Sequence, residues 1–147
     1  YLVPDFTSDN LVISGTVNIG TFCGTFVHMN WGHWFSNMIF LIPVWIYADK
    51  LTSKPFITII VLANLLLTGI YGLLSEQRLC GLSGVVFMLI GFTAIIGNWL
   101  MFGFAALLFF SEFMLLREED GMSHGAHIIF FILGIGIGIA KCAFAVF

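Results

Sequence analysis

The chain has 147 residues, of which 60% are hydrophobic and 9% charged, with 17 phenylalanines, 16 glycines and a formal net charge of −3. A soluble domain of this size has too few polar side chains here to cover its surface, so the composition indicates an integral membrane protein in one domain, residues 1–147. The small net charge suggests no nucleic-acid partner, and the apolar composition predicts a lipid bilayer around the chain.

Residues 1–27 hold Pro4, Asp5, Asp9, Asn10 and glycines at 15, 20 and 24. This stretch is too polar to span and is expected as an extended or interfacial segment on one membrane face. The chain begins with Tyr1 rather than Met, so further residues are expected upstream, and no signal peptide is visible. Cys23, Cys80 and Cys142 have no metal or redox spacing and are expected as small buried apolar residues.

The first expected span covers residues 31–47, with Asn30 as its N-cap. Asp49, Lys50 and Lys54 are predicted to form a charged turn, and Pro55 to start the second span, residues 56–74. Asn64 inside that span predicts a hydrogen bond to another helix. A polar loop follows. The apolar run from Leu79 to Leu116 is too long for one helix: at ~1.5 Å per residue it would reach roughly 57 Å against a hydrocarbon core of ~30 Å. Gly97-Asn98 is the break, giving spans at 82–96 and 99–116. The charged run Arg117-Glu118-Glu119-Asp120 precedes a fifth span at 123–147. Trp31, Trp34, Trp45 and Trp99 fall near span ends, as interfacial anchors do.

Alternation of direction places the starts of the first, third and fifth spans on one face. His33 and Asn37 lie at the first of these, Ser83 at the second, His124 and His127 at the third. Ser83 stands between Gly81-Leu82 and Gly84, where small neighbours let other groups approach its hydroxyl. His33 and Asn37 are four residues apart and share a helix face. Serine is a weak nucleophile until a base takes its proton, and the oxyanion it forms needs hydrogen-bond donors. Ser83, His127, and His33 with Asn37 supply these parts. Other readings of the same residues are polar glue between helices, or ligation of a haem or metal by histidines, His124 and His127 being three apart. Glu112, inside the fourth span near its outer end, is either a snorkelling acid paired with Arg117 or Arg78, or a functional intramembrane acid. Lys50, Lys54 and Lys141 on the opposite side, against Arg78 and Arg117 on this one, place the Ser83 end outside the cytoplasm.

In order along the chain, His28, His33 and Asn37, then Gly81-Leu82-Ser83-Gly84, then Gly125-Ala126-His127 resemble the rhomboid intramembrane serine proteases, over roughly residues 22–140. The resemblance implies an all-α polytopic bundle and a Ser83–His127 dyad without cofactor or metal. It implies an oxyanion site from His33, Asn37 and the Ser83 backbone N–H, with His28 at the mouth. The offset of five from His33 makes His28 an ordering residue of the preceding loop. The implied activity is cleavage of a membrane protein's transmembrane segment. The alternative is a catalytically silent relative that binds transmembrane helices or is a subunit of a larger membrane complex. The chain departs from the family in several places. Five spans are visible where the family core has six, and Ile19-Gly20 stand where a Trp-Arg pair is usual. Phe87 replaces a Tyr that stacks on the histidine. Phe130 replaces a Gly that lets the last helix pack on the serine helix, while Gly134 and Gly138 continue that small-residue pattern. If His127 faces Ser83, Phe130 faces the serine helix one turn deeper, with Gly84 and Gly91 as hollows for its ring.

Overall fold

The computed structural model describes residues 24–28, 30–74, 79–116 and 123–144. Ile19, Gly20, Cys23, Arg78, Arg117 and most of the segment 1–27 lie outside them. Among the described residues the protein is all-helical. A single 3₁₀ turn at Gly24–Phe26 precedes five helices: α1 (Trp31–Leu51), α2 (Lys54–Leu74), α3 (Ser83–Ile96), α4 (Trp99–Met114) and α5 (His124–Phe144).

The helix boundaries follow local chemistry. Asn30 is extended and its side-chain oxygen accepts from the His33 N–H at 2.8 Å, capping α1. Asn98 caps α4 in the same way, accepting from Met101 N–H at 3.0 Å. Each cap satisfies one of the donors that a helix start leaves unpaired. α1 runs on through Asp49 and Lys50 to Leu51, so the expected charged turn is the last turn of the helix. The chain reverses at Thr52-Ser53 instead. Lys50 near a helix C-terminus is favourable to the dipole, which is why charge alone did not mark the end.

The helices sort by burial. Ten of the fourteen residues of α3 are buried, and it forms the centre of the bundle. α4 buries Ala105 alone and turns Phe102, Leu107, Phe110 and Phe113 outward. An apolar outer surface of this kind suits hydrocarbon surroundings. Among the described residues, α2 and α5 combine the length and apolarity needed to cross a membrane. α3 and α4, at 14 and 16 residues, are shorter apolar helices. Five helices therefore stand where five spans were expected, and two of them meet the length and hydropathy of a full crossing.

α3 and α5 meet backbone to backbone. A Cβ added at Gly134 would collide with the Met88 carbonyl oxygen, and one at Gly91 with the Phe131 carbonyl oxygen. At Gly138 it would lie 2.8 Å from Ile95 Cβ and 3.0 Å from the Phe92 carbonyl oxygen. Small residues at facing positions give this close approach, which is the main source of helix association in lipid, where apolar burial supplies little driving force. Gly91 is thus filled by the backbone of α5 and is not a hollow for Phe130. That ring lies instead against Gly84, whose added Cβ would be 3.1 Å from Phe130 Cδ2. Phe130 is 2% exposed, so the ring is fully seated.

Two other expectations change. Asn64 is fully buried, but the contact of its side-chain oxygen is with Thr68 Oγ1 of its own helix at 3.3 Å. Its Nδ2 has no partner among the described residues, so it makes no bond to another helix. Of the cysteines expected to be buried, Cys80 is half-buried and Cys142 is exposed on α5.

Candidate active site

The two ends of the bundle carry different chemistry. At one end the Tyr47 hydroxyl of α1 accepts from the backbone N–H of Asn98, 3.1 Å away, at the α3–α4 turn. At the other end the starts of α1, α3 and α5 come together with the end of α4. Alternating helix direction produces this sorting, and Ser83, His127, His124, His33 and Asn37 all lie at the second end.

Gly81 sets up the approach to α3. Its φ of 93° is open to glycine and strained for other residues, and its N–H donates to the Gly24 carbonyl at 3.2 Å. The turn releases Ser83 as the first residue of α3. A Cβ at Gly81 would lie 2.7 Å from His33 Cε1, 3.0 Å from His33 Nε2 and 3.2 Å from Asn37 Nδ2. The absent side chain is therefore the space into which α1 sends His33 and Asn37. Asn37 is buried, and its Nδ2 has no partner among the described residues, as is true of His33 Nδ1. A buried donor left unpaired costs about 1–3 kcal/mol, a cost native proteins retain where the group has a task. His28 lies outside the helices, its Nδ1 3.3 Å from the Phe26 carbonyl and its ring edge-on to His33 at 5.3 Å. Burial lowers its pKa below the usual histidine value, outweighing the carbonyl contact that raises it. Neutral His28 donates from Nδ1 to that carbonyl.

His127 Nε2 lies 2.9 Å from Ser83 Oγ, a direct hydrogen bond between the last helix and the start of the central one. Phe87, one turn along α3, stacks on the imidazole at a centroid distance of 4.5 Å and an interplanar angle of 12°. The ring holds the plane of His127 without a hydroxyl. The opposite nitrogen, Nδ1, is 2.8 Å from Glu112 Oε2 on α4, and His124 Nδ1 reaches the same oxygen at 2.7 Å. Glu112 is thus engaged by two histidines; Arg78 and Arg117, the partners expected for it, lie outside the described residues.

Sequence reasoning missed this Glu112–His124–His127 cluster. A signal was there: α4 ends on the face where α5 begins, so an acid near the end of α4 shares the depth of both histidines. The three residues offer ligand atoms within 4.8 Å of one another, a donor set that divalent ions take. The separations favour hydrogen bonding: ligands held tetrahedrally at ~2.05 Å from zinc lie about 3.3 Å apart, well beyond the 2.7 and 2.8 Å found here.

Helices, glycine packing and the serine–imidazole contact define a helical membrane protein of the rhomboid class. The rhomboid-domain family model matches residues 19–144, and the chain belongs to that family. It is accordingly an integral membrane protein. No curated protein and no solved structure gives a significant match.

Proposed function

We propose that the protein is an intramembrane serine protease in which Ser83 and His127 act as the catalytic pair. The observation that carries this is the 2.9 Å contact between His127 Nε2 and Ser83 Oγ, with the imidazole plane held by Phe87. Proton transfer needs heavy atoms at ~2.6–3.2 Å, and the pair falls inside that range.

The chemistry runs in two halves. Ser83 Oγ bonds the scissile carbonyl carbon while its proton passes to His127 Nε2. The carbonyl oxygen becomes an oxyanion beside Asn37 Nδ2, His33 and the unpaired N–H groups at the start of α3. The tetrahedral species collapses, the C–N bond breaks, and His127 gives its proton to the leaving amine. Water then repeats the sequence on the acyl-serine: His127 takes its proton, the hydroxyl bonds the carbonyl carbon, and Oγ leaves with the proton returned. The substrate is a transmembrane segment of another membrane protein, unwound at the cut because a helical peptide bond is shielded by its own hydrogen bonds. Lys50, Lys54 and Lys141 at the opposite end, against Arg78 and Arg117 at this one, support an extracytoplasmic site.

The second reading is a catalytically silent relative that binds transmembrane helices or serves a larger membrane complex. Its support is Phe130, which stands where the family has Gly. The ring is accommodated at Gly84, and the α3–α5 contact at Gly134 stays at backbone distance, which favours the active reading. A serine-directed fluorophosphonate decides between them. Labelling of the parent protein, lost in Ser83→Ala with unchanged melting temperature, is expected. A parent that folds and takes no label refutes the protease.

A further inference from the structure

We infer that Glu112 is a positioning residue for the Ser83–His127 pair, completing an acid–imidazole–hydroxyl chain that runs across three helices. The inference deepens the protease reading and rests on it for the meaning of its activity measurement.

The geometry is a continuous line of contacts. Glu112 Oε2 is 2.8 Å from His127 Nδ1, and His127 Nε2 is 2.9 Å from Ser83 Oγ. An ionised carboxylate only accepts hydrogen bonds. Its contact therefore keeps the proton of neutral His127 on Nδ1 and leaves Nε2 bare toward the serine hydroxyl. That is the tautomer a general base needs. The opposite tautomer would direct an N–H at Ser83 Oγ and could not take its proton. When Nε2 is protonated during acylation, the carboxylate faces the imidazolium across one hydrogen bond and stabilises its charge. No proton passes to Glu112; it stays ionised throughout.

The placement also explains the acid itself. A carboxylate within an apolar membrane helix is expensive. Glu112 side-chain exposure is 13%, and His124, with a side-chain exposure of 3%, shares the same oxygen at 2.7 Å. With Glu112 ionised, two N–H donors on one oxygen fix its rotamer and hold it on the line to His127. His124 and His127, three residues apart at the start of α5, share one helix face. The carboxylate thus bridges one face of α5. Hydrogen bonds of this type, with one partner charged, are roughly twice as strong as neutral ones.

The test uses the full chain labelled with ¹⁵N-histidine, in detergent micelles, alongside fluorophosphonate labelling of Ser83 and a melting temperature. His127 resonances are assigned by single substitution. In the parent, His127 carries its proton on Nδ1. In Glu112→Leu, which suits an apolar helix but offers no acceptor, the proton moves to Nε2 in a substantial fraction. Labelling then falls by about 10²- to 10⁴-fold, the upper figure being the loss seen when the acid of a soluble Ser-His-Asp triad is replaced by its amide. Glu112→Gln, whose amide can turn an N–H toward Nδ1 and so favour the wrong tautomer, also falls, by up to about 10⁴-fold, and Glu112→Asp, which keeps the charge, recovers part of the rate.

A Glu112→Leu protein that labels within threefold of the parent overturns the inference. So does a loss of labelling that tracks melting temperature across all three variants while the His127 proton stays on Nδ1, because that is structural support only. A parent that takes no label but shows the Nδ1 proton, and loses it in Glu112→Leu, removes the protease reading and leaves the positioning role standing.

Discussion

Replacing Phe130 by glycine separates an obstructive ring from a supporting one. The ring is buried against Gly84, where an added Cβ would be 3.1 Å from Phe130 Cδ2 and 3.3 Å from Asn64 Nδ2. Deleting it leaves a void rather than relieving a clash. A residual cavity on the order of 100 Å³, at about 24 cal/mol per Å³, costs about 2.4 kcal/mol. Glycine within a helix adds about 1 kcal/mol, for a total of about 3 kcal/mol. The void lies next to the turn of α3 that carries Ser83, so the serine–imidazole distance should loosen. A 1 Å displacement of reacting groups can cost on the order of 100-fold in rate. Expected results are therefore a lower melting temperature and slower fluorophosphonate labelling of Phe130→Gly. Gly84→Ala supplies the matching control. Alone it presses a methyl group on the Phe130 ring and should destabilise; in the Phe130→Gly background it fills part of the void and should cost less, a coupling readable from a double-mutant cycle. Faster labelling of Phe130→Gly than of the parent would refute the reasoning and identify the ring as what holds the pair apart.

Asn37→Ala and His33→Ala should each slow single-turnover cleavage of a transmembrane reporter by about 100–1000-fold without abolishing it, as loss of one oxyanion donor does; a rate within twofold of the parent would make them packing residues. Gly134→Ala places a methyl group in the Met88 carbonyl and within 2.9 Å of the Met88 carbonyl carbon and Phe92 N; since backbone must move, both melting temperature and labelling should collapse, whereas Gly136→Ala, with open space around it, should match the parent on both. Cysteines introduced at Thr52 and at Glu119 should react with an impermeant thiol reagent from opposite sides of the membrane, the Glu119 side being extracytoplasmic; reaction of both from one side would contradict the alternation of helix direction.

Much of the site could be read from the sequence because helix direction alternates. Ser83, His127, His33 and Asn37 each lie near the start of an odd-numbered helix, and that rule alone brought them to one end. The caps at Asn30 and Asn98 were legible for a local reason, a short polar acceptor just before an apolar run. Glu112 was not assigned because it ends a helix rather than starting one, and because nearby arginines offered a simpler partner. Gly91 was misread because spacing along one helix gives the face a residue shares with its neighbours, not which atoms of the next helix fill it. Asp49 and Lys50 were taken for a turn because charge marks both helix ends and loops. Asn64 found its contact within its own helix, at Thr68, a choice that composition does not encode.

On the protease reading, the fourteen residues of α3 bear on where a substrate would be cut. At ~1.5 Å per residue the helix is about 21 Å long, against a hydrocarbon thickness of about 30 Å. The central helix is short by about 9 Å. If the Gly97-Asn98 turn lies at one interface, that whole shortfall falls at the opposite end and would set the Ser83 hydroxyl about 9 Å below the headgroups there. Measured along a substrate helix, 9 Å is about six residues. The scissile bond then belongs to the buried part of the segment rather than to its juxtamembrane flank. Each cut would strand a stub of about 21 Å, roughly fourteen residues and too short to reach from one interface to the other, and release a fragment carrying about six greasy residues at its new end.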